Sequence, residues 1–248
     1  MKRIRDNAGT PGTGTKDFMT KRGAGAGKKS PMRSNAPPRA PAQTRSRESM
    51  EVLLEVGRRM IEERGIDDVR ISDVASAAGS SIGALYFRFG NRERFIDEVM
   101  QRQVEVNRGD FDELARRLRM SAKTPDAVIG AVIDWLVSSY ERNQGVLRSQ
   151  MRRALETPQV WRPLQDLARY IVEEIGDLLR SLPESRAGSE WRTTLPVAMQ
   201  LVYGTLNNIL INRPGPLHLG DPATVTELTK AVLRYLQMED SGAPQTKR

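Results

Sequence analysis

Residues 71–89 read Ile71-Ser72-Asp73-Val74-Ala75-Ser76-Ala77-Ala78-Gly79-Ser80-Ser81-Ile82-Gly83-Ala84-Leu85-Tyr86-Phe87-Arg88-Phe89. The stretch divides at Gly79, a residue suited to the left-handed conformation that ends a helix. Before it, the spacing predicts a short helix from Ser72 or Asp73 to Ala78. After it, Ser80 or Ser81 serves as N-cap for a second short helix, about Ile82 to Arg88. Two short helices joined by a tight glycine-containing turn make a helix-turn-helix. Ala75 and Ala78 are small enough for the two helices to approach closely. Leu85 and Phe89, four residues apart, share one face and anchor the second helix. Gly83, Ala84, Phe87 and Arg88 are left on outward or flanking positions.

Outward from this motif the apolar spacing is helical almost everywhere. Met50, Leu53, Leu54, Met60 and Ile61 line a first helix that Gly65 can end. Asn91 caps a longer helix carrying Phe95, Ile96, Val99 and Met100. After a break near 121–125, Val128, Val132, Ile133, Leu136 and Tyr140 form one stripe. Val160, Leu164, Leu167, Ile171, Ile175, Leu178 and Leu182 form another. The run from Leu195 to Ile211 is apolar nearly all round, as in a helix buried on several sides. Val225, Leu228, Val232, Leu233 and Leu236 complete a last amphipathic helix. No convincing strand pattern occurs, so the expected class is all-α.

The net charge of +8 is unevenly placed. Residues 1–47 hold twelve of the 39 basic residues and two of the 31 acids, a local +10. The rest therefore has 27 bases against 29 acids, a net −2, and the basic character belongs to the N-terminal segment. Residues 1–44 are rich in Gly, Pro, Ser, Thr and Lys/Arg, and such a composition predicts a disordered basic tail. Its Gly23–Ser30 stretch has a phosphate-loop composition without the spacing, and no strand precedes it. Residues 241–248 are expected to form a flexible C-terminus.

The composition excludes several chemistries. Cysteine is absent and His218 is the single histidine, so disulfides, thiolate nucleophiles, zinc sites and His-based triads are not expected. No metal, cofactor or catalytic constellation is expected, and the chain does not read as an enzyme. No apolar run of about 18 residues suggests a membrane span, and the basic N-terminus lacks the apolar segment of a signal peptide. A cytoplasmic protein without membrane contact, associated with the nucleoid when bound to DNA, is the expectation.

The stretch from Arg47 to Met100 resembles the DNA-binding domain of TetR-family transcriptional regulators. That family's pattern is matched by Val74, Ala75, Ala78, Gly79, Ser81, Gly83, Leu85, Tyr86 and Phe89, followed by Gly90, Asn91, Arg92 and Glu93. The resemblance implies a helix-turn-helix domain over 45–92, followed by a helical effector-binding and dimerisation domain over 93–240. It implies that the helix around 82–88 enters the major groove, that Tyr86 contacts a phosphate, and that Arg92 and the backbone amides at Asn91 grip another. Ser72 and Arg47 would hold flanking phosphates. Two departures stand out: Ile82 where the family often has Lys or Arg, and Arg70 where it often has Thr. Ile82, Gly83 and Ala84 offer no side-chain hydrogen bonds to base edges. Base reading is therefore expected from apolar contacts of Ile82, Ala84 and Phe87, polar reach from Ser81 and Arg88, and DNA shape.

In the C-terminal half, Trp135, Tyr140, Met151, Trp161, Tyr170, Met199 and Tyr203 are candidates for an effector cavity. Asn207 and Asn208, inside an apolar run, need partners if buried and suit either an effector or a two-fold interface. The resemblance implies that helices at about 190–212 and 222–238 form a homodimer's four-helix bundle. The resulting expectation is a transcriptional regulator, in the family's commonest mode a repressor, released from a palindromic operator on double-stranded DNA by a small-molecule effector. The competing expectation is an architectural, non-specific DNA-binding protein driven by the basic tail.

Overall fold

A computed structural model of the protein describes residues 42–182 and 191–237. The expected tail up to residue 41 and the expected flexible end lie outside these residues. Among the described residues there are nine α-helices and no strand. They are α1 (Ala42–Arg64), α2 (Ile71–Ala77), α3 (Ile82–Phe89), α4 (Arg92–Ser121), α5 (Pro125–Arg142), α6 (Gln144–Glu156), α7 (Arg162–Arg180), α8 (Trp191–Asn212) and α9 (Pro222–Tyr235). A 3-10 turn, Pro158–Trp161, leads into α7. Helix α1 begins at Ala42, so its first turn takes in the last three residues assigned to the tail.

The helix starts follow their capping residues. Ser81 Oγ accepts the Ala84 amide at 3.1 Å, and Asn91 Oδ1 accepts the Arg94 amide at 2.8 Å. Each satisfies one of the amides that a helix N-terminus leaves without an intrahelical partner. Gly79 has φ +62°, which reverses the chain between α2 and α3 in a conformation that side chains with a Cβ disfavour.

Two apolar cores result. The first joins α1, α2 and α3 to the start of α4 through Leu53, Ile61, Val74, Leu85, Phe89, Phe95, Ile96 and Val99. Phe89 and Phe95 pack edge to face at 5.1 Å. The second gathers the rest of α4 with α5, α7, α8 and α9 around Phe111, Ile129, Ile133, Ile171, Ile175 and Leu206. Helix α4, 30 residues long, contributes to both. The N-terminal core thus extends beyond residue 92, the expected domain boundary, to Met100 and also takes in Val146 of α6.

Helix α6 was not expected as a separate element. Two of its buried positions are polar, Ser149 and Gln150, and this hides the apolar period. Ser149 Oγ accepts the Ile66 amide at 3.2 Å, and Gln150 Nε2 donates to the Val160 carbonyl at 2.5 Å. Long-range partners therefore stabilise a helix whose own hydrophobic pattern is weak.

Candidate functional site

Helix α3 buries two side chains, Leu85 and Phe89, and every other residue from Ser81 to Arg88 is exposed. This is the face division expected from the four-residue spacing. Ile82 and Tyr86 are about half exposed and Phe87 is 95% exposed, the most of any large apolar side chain described. Ser72 at the start of α2, Arg70 just before it and Arg47 near the start of α1 are also exposed. The Ser72 hydroxyl donates to Asp73 at 3.1 Å, and Arg88 donates to Ser46 Oγ at 3.2 Å, tying α3 to α1.

Arg92 stands apart from this surface. Its Nε donates to the Val69 carbonyl at 3.0 Å, and another guanidinium nitrogen donates to the Ile66 carbonyl. The side chain braces the loop between α1 and α2, a role that the phosphate-contact expectation did not include. Asn91 is exposed, with its side chain engaged as the α4 cap.

The second feature is a cavity of about 670 Å³ among α4 to α8. Of the eight cavity candidates, Trp135, Tyr140, Trp161, Met199, Tyr203 and Asn207 line it. Met151 and Tyr170 do not. The Tyr170 hydroxyl instead donates to Asp112 at 2.5 Å, and its ring faces the Arg108 guanidinium at 4.0 Å. That hydrogen bond is the main reason its pKa is pushed up to about 12. Leucines, isoleucine and valine fill most of the remaining wall, with Asn107, Ser139, Gln165 and Gln200 as neutral polar groups. Its charged lining residues, Arg169 and Glu173, are exposed at the rim.

Inside, the Tyr140 hydroxyl donates to Asn207 Oδ1 at 2.9 Å. Burial pushes the phenols of Tyr140 and Tyr203 well above the usual tyrosine range, so both stay neutral. The Tyr203 hydroxyl and Trp135 Nε1 are buried without a hydrogen-bond partner. The two adjacent asparagines diverge. Asn207 turns to the cavity, while Asn208 is exposed and accepts from Asn212 at 2.7 Å.

Helix α6 packs on α1 and also lines the cavity, a link that the sequence did not reveal. Glu62 of α1 accepts the first-turn amides of Gly145 and Val146 at 2.8 and 3.0 Å. It caps α6 from another helix, since the local cap residue Asn143 instead donates its side-chain amide to the Ser139 carbonyl. A Cβ on Gly145 would lie 2.2 Å from the Glu62 carbonyl oxygen, so the contact requires glycine. The next residues face opposite ways: Val146 belongs to the first core and Leu147 lines the cavity. Ion pairs Arg152–Asp67 at 2.5 Å and Arg153–Asp97 at 2.7 Å add to the same seam.

Comparison with known proteins places this arrangement. The family model described as bacterial regulatory proteins, tetR family, matches residues 53–99. The model of a tetracyclin repressor-like C-terminal domain matches residues 124–236. The chain belongs to the TetR family. Within that family it is 31% identical over 94 residues to the HTH-type transcriptional repressor KstR2 of Mycobacterium tuberculosis, a match covering 38% of each chain. Similarity to KstR2 of Rhodococcus jostii is 29% over 77 residues, covering 31% of this chain and 38% of that one. The chain thus matches well under half the length of these relatives. Its fold is that of a TetR-family transcriptional regulator from Streptomyces coelicolor, with TM-score 0.57 and 18% identity over 76% of this chain and 79% of that one. A TetR transcription regulator from Haloarcula marismortui aligns with TM-score 0.60 and 12% identity over 77% and 97%. Among the described residues no helix is long and apolar enough to cross a membrane.

Proposed function

We propose that this TetR-family chain is a homodimeric transcription repressor that binds a palindromic operator and leaves it when a small molecule fills the cavity. The observation that carries the reading is α3: two side chains anchor it and every other residue from Ser81 to Arg88 is offered to solvent. Arg47 and Arg70 flank it as exposed donors for phosphates, with Tyr86 on α3 itself and Ser72 beside them, its hydroxyl exchanging Asp73 for a phosphate. Arg92 supports this surface from behind by holding the α1–α2 loop.

The outer face of α8 supports dimerisation. Val197, Leu201, Gly204, Asn208 and Ile211 recur at spacings of four and three and are all exposed. That is the seam spacing of paired helices. Among the described residues nothing beyond the helix's own backbone lies within 4 Å of where a Gly204 Cβ would sit, which leaves room there for a second helix.

The cavity supports a small-molecule effector, and α6 supplies the connection. A ligand that displaces Leu147 moves the helix whose N-terminus Glu62 holds. Shifting α1 then changes the spacing of two recognition helices on DNA, a two-state switch that a ligand biases by its differential affinity. The test is DNase footprinting of the full chain alongside Tyr86→Phe and Arg47→Ala variants, with thermal melts against a library of apolar small molecules. A discrete symmetric footprint, weakened in both variants, supports the reading, as does a ligand-induced rise in melting temperature that Asn207→Leu abolishes. Uniform protection without a discrete site would instead support an architectural role.

A further inference from the structure

The two polar side chains expected to read bases from α3 each already make a contact within the chain. Ser81 Oγ accepts the Ala84 amide at 3.1 Å as the helix cap, and Arg88 donates to Ser46 of α1 at 3.2 Å. Gly83 and Ala84 carry no polar side-chain atom. Beside them the outward surface is largely apolar: Ile82, 46% exposed, and Phe87, 95% exposed, with the Tyr86 ring between them at 49%. A phenyl ring left almost wholly in water, beside further apolar surface on the same short helix, marks a contact surface. Gly83 sharpens this. Among the described residues a Cβ there would meet nothing beyond its own helix backbone closer than Ser81 Oγ at 4.0 Å, so the described fold leaves room for a larger residue. The absent side chain leaves the backbone open to close approach from outside.

The major groove presents one apolar group, the C5-methyl of thymine; cytosine and deoxyuridine lack it. Resting on the DNA-binding reading above, we propose that this α3 reads operator sequence through thymine 5-methyl groups. Phe87 and Ile82 supply the contact, and Gly83 lets the helix backbone come close. The operator half-site is then defined by the positions of its methyl groups more than by hydrogen-bonded base edges. Loss of one contacted methyl should weaken binding about fourfold, the value expected for burying one methylene-sized group. Because the preference follows the methyl rather than the base, 5-methylcytosine should be accepted where cytosine is not.

The experiment uses the purified full chain and the operator recovered by selection from random duplexes. Fluorescence anisotropy at one fixed salt concentration compares that duplex with versions carrying deoxyuridine at single half-site thymines. The expected result is a drop of about fourfold at two or more symmetric positions, restored where 5-methylcytosine replaces a cytosine at the same groove position. Phe87→Ala should bind the thymine and deoxyuridine duplexes equally at one or more of those positions. This side chain is exposed, so an unchanged melting temperature accompanies that result. Equal binding of all thymine and deoxyuridine duplexes by the unsubstituted protein overturns the proposal while leaving the regulator reading intact. Undiminished thymine preference in both Phe87→Ala and Ile82→Ala also overturns it. Failure to recover any discrete operator overturns the regulator reading itself.

Discussion

The recognition region and the cavity region are built on opposite principles. Helices α2 and α3 form over 19 consecutive residues, Ile71–Phe89, with the turn glycine Gly79 and the Ser81 cap inside the stretch. The cavity draws its lining from Asn107 to Asn207, with no two of its aromatic walls on the same turn of one helix. Local elements announce themselves in a sequence because their contacts repeat at fixed spacing. A cavity is a residue of long-range packing and has no period. The same contrast predicts where each region is fragile, and α6 shows what joins them.

The largest expected effect breaks the recognition region from within. Leu85 is 1% exposed and is one of two anchors of α3, so Leu85→Ala should cost about 2–5 kcal/mol by leaving a cavity in a small core. Differential scanning calorimetry should record a lower melting temperature, and DNA binding should be lost with the helix. An unchanged melting temperature would show that α3 is held by something other than this core.

A smaller effect tests the join. Glu62→Ala leaves the Gly145 and Val146 amides of α6 without their carboxylate, a loss of about 1–3 kcal/mol. Its more telling consequence is functional. Both DNA and ligand should still bind, but ligand should no longer lower DNA affinity, because coupling is a free energy carried by the contact between the regions. Competition titrations that show full ligand response in this variant would remove α6 from the coupling path.

The smallest effect sharpens the recognition side. Tyr86→Phe removes one hydroxyl from a half-exposed ring and leaves the fold alone. Affinity should fall about fivefold, the worth of one hydrogen bond of about 1 kcal/mol. The fall should be equal on operator and on random DNA, since a phosphate contact carries no base information. A loss confined to the operator would make Tyr86 a base reader.

These differences explain what was legible from the sequence. The helix-turn-helix was readable to within a residue or two because Ser81, Asn91 and Gly79 each act on their immediate neighbours. The buried face of α3 followed from the spacing of Leu85 and Phe89. The cavity was legible only as an excess of aromatic residues in the C-terminal half. Six of eight candidates line it, while Met151 and Tyr170 fall elsewhere because nothing in their spacing tells cavity from core or surface. Helix α6 was missed because Ser149 and Gln150 occupy buried positions whose partners, Ile66 and Val160, lie on other elements. The inward turn of Arg92 was hidden for the same reason. An arginine at a phosphate-contact position reads as a DNA ligand, and nothing near it in sequence announces that the Ile66 and Val69 carbonyls also take its guanidinium.

Selection of bound DNA from a random duplex pool by the purified full chain is the most direct test of the central claim. The account predicts enrichment of one palindrome whose half-sites lie about one helical turn apart, or a multiple of it, since two copies of α3 must reach the same side of the duplex. Recovery of a non-palindromic site, or of DNA with no enriched sequence, would contradict it.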